Sequence, residues 1–106
     1  GSVVHNIIKT SDKVYDVKPS DYTILCNTEN NKITVKVPPA CNNVGRVIII
    51  KKADSNKYKI TSNMLTILSE EGTIDINSKM DVKMNYSSRT LQSDGENWWL
   101  IGSKGT

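Results

Sequence analysis

The apolar residues of this chain follow the alternation of β-strands. Ile33-Thr34-Val35-Lys36-Val37 alternates apolar and polar side chains, which predicts a strand with one dry and one wet face. No window places apolar residues at helical spacing over three turns. The chain instead shows short apolar runs separated by turn residues about every eight to twelve positions. These predicted strands are Val3–Ile8, Lys13–Val17, Tyr22–Cys26, Ile33–Val37, Arg46–Lys52, Tyr58–Thr61, Leu65–Leu68, Thr73–Ile76, Asp81–Met84, Arg89–Gln92 and Trp98–Ile101.

Many short strands with frequent turns indicate an all-β fold, a jelly-roll-like β-sandwich of short antiparallel strands. The 106 residues suffice for one domain with a modest core. Gly1-Ser2 is typical of the scar that a cleaved expression tag leaves, so the single sandwich domain is assigned to residues 3–106.

Two predicted strands, Val47-Ile48-Ile49-Ile50 and Trp98-Trp99-Leu100-Ile101, are apolar without alternation. Such strands are dry on both faces, and a sandwich core covers only one of them. A neighbouring subunit would cover the other face; loops or a third layer are the alternative. Ile48, Ile50 and Trp99 are therefore candidates for a subunit interface or a ligand platform.

The two tryptophans are adjacent, so their side chains must point to opposite faces of the strand. At most one lies in the core, and the other meets a subunit, a sugar ring or water. Asp94-Gly95, just before them, predicts a hairpin turn in which Gly95 adopts a positive φ.

Candidate chemistry is sparse. His5 is the only histidine and lies near the start of the sequence, where a catalytic base is poorly positioned. Cys26 and Cys41 fit no zinc pattern; we expect free thiols, with a disulfide as the alternative. Asn85-Tyr86-Ser87 matches a glycosylation sequon too short to exclude chance. We expect a non-enzymatic protein with no metal and no cofactor.

The formal net charge of +3 is small, and the lysines are scattered. A nucleic-acid binder usually shows a basic patch with interleaved aromatic residues, so we expect no nucleic-acid partner. No apolar run reaches the length of a membrane helix, and we expect no membrane insertion.

Four collinear segments resemble the distal head domain of viral fibre proteins, as found in phage tail and head fibres and in fibres of large DNA viruses. The segments are Asp21–Cys26, Ile33–Ala40, Gly45–Asp54 and Ser93–Ile101. The order of a strand ending in Pro38-Pro39, then Gly45-Arg46, a strand ending in Lys51-Lys52 and a final Ser-Asp-Gly hairpin with tryptophan carries the resemblance. The Cys26 and Cys41 pair departs from it.

The resemblance implies a structural β-sandwich head on a homotrimeric fibre, with Trp98 as the buried tryptophan. It also implies attachment to a host-surface glycan or protein, at the surface of the virion. We expect attachment through the loops 27–32, 40–44 and 54–57, whose polar side chains can form hydrogen bonds. The candidate contact residues are Asn30, Asn31, Asn42, Asn43, Asp54 and Asn56. The alternative is a monomeric carbohydrate-binding module or adhesin domain.

Overall fold

The computed structural model describes residues 4–54 and 63–105, and within these ranges it confirms an all-β fold. The described residues form nine strands and one short 3-10 turn, and they contain no α-helix. The strands are β1 Ile7–Thr10, β2 Val14–Asp16, β3 Thr23–Cys26, β4 Ile33–Val37, β5 Val47–Lys52, β6 Leu65–Ser69, β7 Lys79–Val82, β8 Ser88–Ser93 and β9 Trp98–Lys104. The 3-10 turn is Ala40–Asn42.

The strands form two sheets that enclose one hydrophobic core. Sheet A has five strands in the order β1-β3-β5-β8-β9. Sheet B has four strands in the order β2-β4-β6-β7. The architecture is thus a two-sheet, sandwich-like arrangement, as the strand pattern predicts.

The prediction of antiparallel, jelly-roll-like pairing is wrong for the first six strands. Successive strands alternate between the sheets, so that β1, β3 and β5 run parallel in sheet A and β2, β4 and β6 run parallel in sheet B. The chain therefore winds as a flattened coil in which each crossover passes through the opposite sheet. Only the pairings of β5 with β8, β6 with β7 and β8 with β9 are antiparallel.

The core lies between the sheets and is built from alternate residues of each strand. Ile48 and Ile50 of β5 face Ile33, Val35 and other apolar side chains of sheet B, and all four are fully buried. Burying an isoleucine side chain contributes about 1.5–3 kcal/mol, so these strands supply much of the stability. The neighbouring Val47 and Ile49, on the other face of β5, are half-buried.

The predicted hairpin is present, with β8 and β9 joined across residues 94–97. Gly95 has a φ of 96°, and a Cβ added there would lie 2.9 Å from Val44 Cγ2. The predicted positive φ is confirmed, and it favours glycine at this position.

The segment predicted as the strand Thr73–Ile76 is a tight turn. Ile74 and Asn77 close it by two backbone hydrogen bonds, and Asp75 occupies a positive φ of 56°. The turn lies along the free edge of β9, where Thr73 and Asp75 bond the backbone of Trp98. The predicted strand Tyr58–Thr61 and the Gly1-Ser2 scar lie outside the described residues.

Candidate functional site

The outer face of sheet A, the side directed away from the core, carries an apolar half. Its members are Ile7 of β1, Val47 and Ile49 of β5, and Trp99 and Ile101 of β9. Ile7, Trp99 and Ile101 are 62%, 41% and 55% exposed, while the two β5 residues are half-buried. In the strand register, Thr23 lies between Ile7 and Ile49, and Thr90 lies on the other side of Ile49. A small monomer rarely leaves so many large apolar side chains on one sheet face.

Trp99 is held in a fixed orientation on this face. Its indole nitrogen donates to Asp94 Oδ2 at 2.7 Å. The same carboxylate accepts the backbone N–H groups of Asn97 and Glu96 at 2.8 Å each, and these bonds with the indole hold the pKa of Asp94 below its usual value. The aromatic ring is thus pre-organised, which suits either a protein interface or stacking on a sugar.

A row of three lysines crosses the other end of the same face. The strand register aligns Lys9, Leu25, Lys51, Ser88 and Lys104 across all five strands. Adjacent strands lie about 4.8 Å apart, so successive lysines are separated by about 10 Å at the backbone. We call these three residues the lysine row. It lies two residues, or about 7 Å, along the strands from the apolar half.

A hollow of about 450 Å³ opens beside the lysine row, where β1, β3 and β5 end. It is lined by Lys9, Thr10, Ser11, Leu25, Asn27 and Ala53. The lining residues are one lysine, two apolar residues and three polar residues. Such a lining can receive a small polar group next to a positive charge.

A buried ion pair fixes the loops that surround this hollow. Lys52 Nζ lies 2.8 Å from Asp54 Oδ2, and both side chains are almost fully buried. Asp54 Oδ1 accepts hydrogen bonds from Thr28 N and Oγ1 at 2.7 and 3.0 Å, and Asp54 N donates to Asn85 Oδ1 at 2.8 Å. The pair therefore ties the loop after β3, the end of β5 and the segment before β8 into one frame.

The electrostatics of this frame follow from its burial. Burial raises the pKa of Asp54, but the hydrogen bonds from Lys52 and Thr28 outweigh it and hold the pKa below its usual value. Burial, with the nearby Asp54, raises the pKa of the Cys26 thiol to about 12. Cys26 is buried and Cys41 exposed, and both are free thiols, as expected.

The predicted contact loops lie at both ends of sheet A. The loop 27–32 and Asp54 follow the ends of β3 and β5, whereas the loop 40–44 precedes β5 at the opposite end. Asn30 and Asn42 are exposed. The Asn31 amide donates to Ser11 O and Lys32 O. Asn43 donates to Pro39 O and accepts from Arg46, so its amide stabilises its own loop.

Three predicted site residues are corrected by the structure. Ile48 and Ile50 cannot form an interface or a ligand platform, because they are 0% exposed and belong to the core. Asp54 cannot contact a receptor, because its carboxylate is buried against Lys52 and Thr28. Asn56 and the rest of the loop beyond Asp54 lie outside the described residues.

Several residues of the segments that resemble fibre heads are hydrogen-bonded to one another in the fold. The Trp98 indole is 0% exposed and donates to Pro38 O at 2.8 Å. Ser93 bonds Arg46 through backbone groups and donates its hydroxyl to Ala40 O at 2.9 Å. These residues hold the strand ends together, so their role is structural.

Sequence reasoning did not find the lysine row or the buried ion pair. The lysines are far apart along the chain, and only the parallel register aligns them. A signal for the ion pair existed: Lys52 continues the alternation of Ile48 and Ile50, so it shares their inward face.

Within residues 4–54 and 63–105, no three His, Cys, Asp or Glu side chains are grouped as metal ligands. No helix in the described part of the chain has the length and apolar character needed to cross a membrane.

Comparison with known proteins gives no assignment. No protein-family model matches the chain, and no curated protein matches it significantly.

Proposed function

We propose that this chain is the attachment domain of a viral fibre, that it assembles as a homotrimer, and that it acts on the virion surface without catalysis. The observation that carries the proposal is the apolar half of the outer face of sheet A. Trp99 and Ile101 are about half exposed there. The core does not cover them, because it is filled by the side chains on the opposite face of the same strands. The segments that resemble fibre heads supply the class of protein.

A second copy of the chain is the natural cover for this face. Trp99 has the features of an interface anchor, since it is large, held in place by Asp94 and close to the exposed Ile101. Closed rotational symmetry would let each protomer present the same apolar half to its neighbour, which is how homo-oligomers satisfy such surfaces. The trimeric state itself comes from the fibre resemblance.

Attachment is assigned to the end of the domain where β1, β3 and β5 finish. The loop 27–32 lies there with exposed Asn30, and the buried Lys52–Asp54 pair holds the loop in place. A pre-organised loop loses little conformational entropy on binding. The exposed Asn42, at the opposite end, is the second loop candidate.

A monomeric carbohydrate-binding domain is the second candidate function. One observation favours it: the Trp99 indole is exposed and fixed by Asp94, as a stacking platform for a sugar ring would be. In a fibre domain Trp99 would lie in the interface between subunits, whereas in a carbohydrate-binding domain it would stack on the sugar.

Three variants distinguish the two functions when self-association and binding to immobilised glycans are both measured. For the fibre domain, Trp99→Ala weakens self-association about tenfold or more, because it removes the anchor of the interface. Tyr86→Ala, which removes an aromatic ring of similar exposure from the turn before β8, leaves self-association unchanged. The double variant Asn30→Ala/Asn42→Ala still assembles but attaches less tightly.

The opposite pattern would support the carbohydrate-binding domain. In that case the chain is a monomer, Trp99→Ala abolishes glycan binding while the protein stays folded, and the loop variant binds as before.

A further inference from the structure

We propose that the lysine row and the adjoining hollow bind an acidic polysaccharide, a chain of sugars that carries sulfate or carboxylate groups. This inference rests on the proposed function, because it names the class of host-surface ligand that the attachment end would take. It is carried by the distribution of charge over the two sheets and by the alignment of the lysines across the strands.

The strands of sheet A place only positive charge on its outer face, and the Asp94 carboxylate of the hairpin turn lies at the apolar end of that face, bonded to the Trp99 indole. No strand of sheet A contains an aspartate or glutamate, whereas Lys9, Lys51 and Lys104 all lie on its outer face. The outer face of sheet B is mixed, with Asp16 and Asp81 beside its two lysines. A charge pattern that served solubility alone would mix both signs on both faces.

Protection of sheet edges does not account for the row. Lys9 and Lys104 lie on the edge strands β1 and β9, where lysine commonly prevents pairing with another chain. Lys51 lies on β5, the central strand of sheet A, where there is no edge to protect. Its place in register with the other two lysines indicates a ligand that spans the sheet.

The geometry suits an extended polyanion. The row crosses five strands, a width of about 19 Å, with a positive charge at about every 10 Å. Leu25 and Ser88 lie between the lysines and offer an apolar surface and a hydroxyl to sugar rings. A lysine ammonium is a compact point charge that pairs with a sulfate or a carboxylate without a fixed fork geometry.

The hollow gives the row a concave end beside Lys9. Asn27 and Ser11 line it, so a charged group of the ligand can reach polar loop atoms as well as an ammonium. Three carboxylates lie close along the chain to residues of the hollow: Asp54 is buried in its pair with Lys52, and Asp12 and Glu29 lie on the loops after β1 and β3. Positive charge is therefore concentrated on the sheet, which directs an anion along the row.

A polysaccharide fits this face better than a nucleic acid does. Single-stranded nucleic acids are bound by stacking bases on aromatic rings, and the row contains none. The two arginines are committed elsewhere: Arg46 bonds the carbonyls of Lys18 and Asp21, and Arg89 is buried and bonds the carbonyl of Ser88.

Binding of the full chain to four probes tests the inference. The probes are a heparin oligosaccharide, neutral dextran, oligothymidylate and vesicles of phosphatidylserine and phosphatidylcholine. We expect heparin to bind, dextran not to bind, and the affinity for heparin to fall as salt is added. The variant Lys9→Gln/Lys51→Gln/Lys104→Gln should lose about tenfold or more in heparin affinity.

A charge-matched variant provides the control. Lys13→Gln/Lys79→Gln/Lys83→Gln removes three exposed lysines from sheet B and its ends, and should lose much less affinity. Equal loss in both triple variants, or no heparin binding, would overturn the inference. So would tighter binding of oligothymidylate or of the vesicles than of heparin, since either would change the ligand class.

The result of the heparin test does not depend on whether the chain assembles as proposed. The lysine variants keep every residue of the apolar half, so they should still form the same assembly as the unmodified chain. If the chain is a monomer and the lysine row still binds heparin, the trimer is wrong and the ligand class stands.

Discussion

At the scale of single residues, the environment in the fold decides what each polar group does. Asp54 follows a strand in a turn-like sequence, which favours an exposed carboxylate, yet the fold buries it against Lys52 and Thr28. Lys36 and Glu70 form a second ion pair at 2.9 Å, with side chains 34% and 62% exposed. The two pairs have similar lengths but should differ greatly in their contribution to stability.

Replacing one partner of each pair tests this difference. Asp54→Asn leaves the Lys52 ammonium buried without its counter-charge and should lower the free energy of unfolding by about 3–5 kcal/mol. Glu70→Gln breaks the exposed pair, which solvent screens, and should lower the free energy of unfolding much less. Chemical denaturation measures both. Equal costs would contradict the assignment of the Asp54 pair as a buried frame.

The same pair predicts the direction of the pH dependence. The pKa of Asp54 is lower in the folded than in the unfolded chain, so its stabilisation is fully present above the unfolded value, about pH 4. It is lost as the pH falls through the folded pKa. Asp54→Asn should lack this component of acid destabilisation, whereas Glu70→Gln should retain it.

At the scale of elements, the strands with a clear polar alternation could be predicted and the uniformly apolar ones could be predicted only in part. Ile33–Val37 is found with its predicted bounds and inward face, because polar residues mark its outer face and Pro38-Pro39 ends it. In Val47-Ile48-Ile49-Ile50 no polar residue marks a face, so the sequence could not show which pair lies in the core.

Truncating neighbouring residues of β5 tests this assignment of faces. Ile50→Ala empties part of the core and should lower the free energy of unfolding by about 2–5 kcal/mol. Ile49→Ala affects the half-buried outer face and should cost clearly less in the unassembled chain. The midpoints of urea denaturation give both values. A larger cost at Ile49 would reverse the two faces of the strand.

The direction of strand pairing could not be read from the sequence. Alternation with a period of two residues is the same in parallel and antiparallel strands, so it identifies faces but not partners. The partners of β1, β3 and β5 are separated by a strand of the other sheet, and only the folded coil brings them into register. The lysine row depends on that register.

At the scale of the whole molecule, the outer face of sheet A has two ends with different chemistry. The apolar half around Trp99 favours contact with another copy of the chain, and the lysine row favours an anionic ligand. The sequence indicated the apolar half, because two of the predicted strands are apolar on both faces. It could not indicate the lysine row, because a net charge of +3 with scattered lysines shows no patch until the strands are aligned.

We propose that other copies of this chain cover the apolar half of sheet A. Sedimentation equilibrium of the purified chain at micromolar concentration tests this assembly. We expect three times the mass of one chain, and a shift towards the monomer for Trp99→Ala. A single-chain mass for the unmodified protein across the micromolar range would show that the apolar half is not an interface between copies.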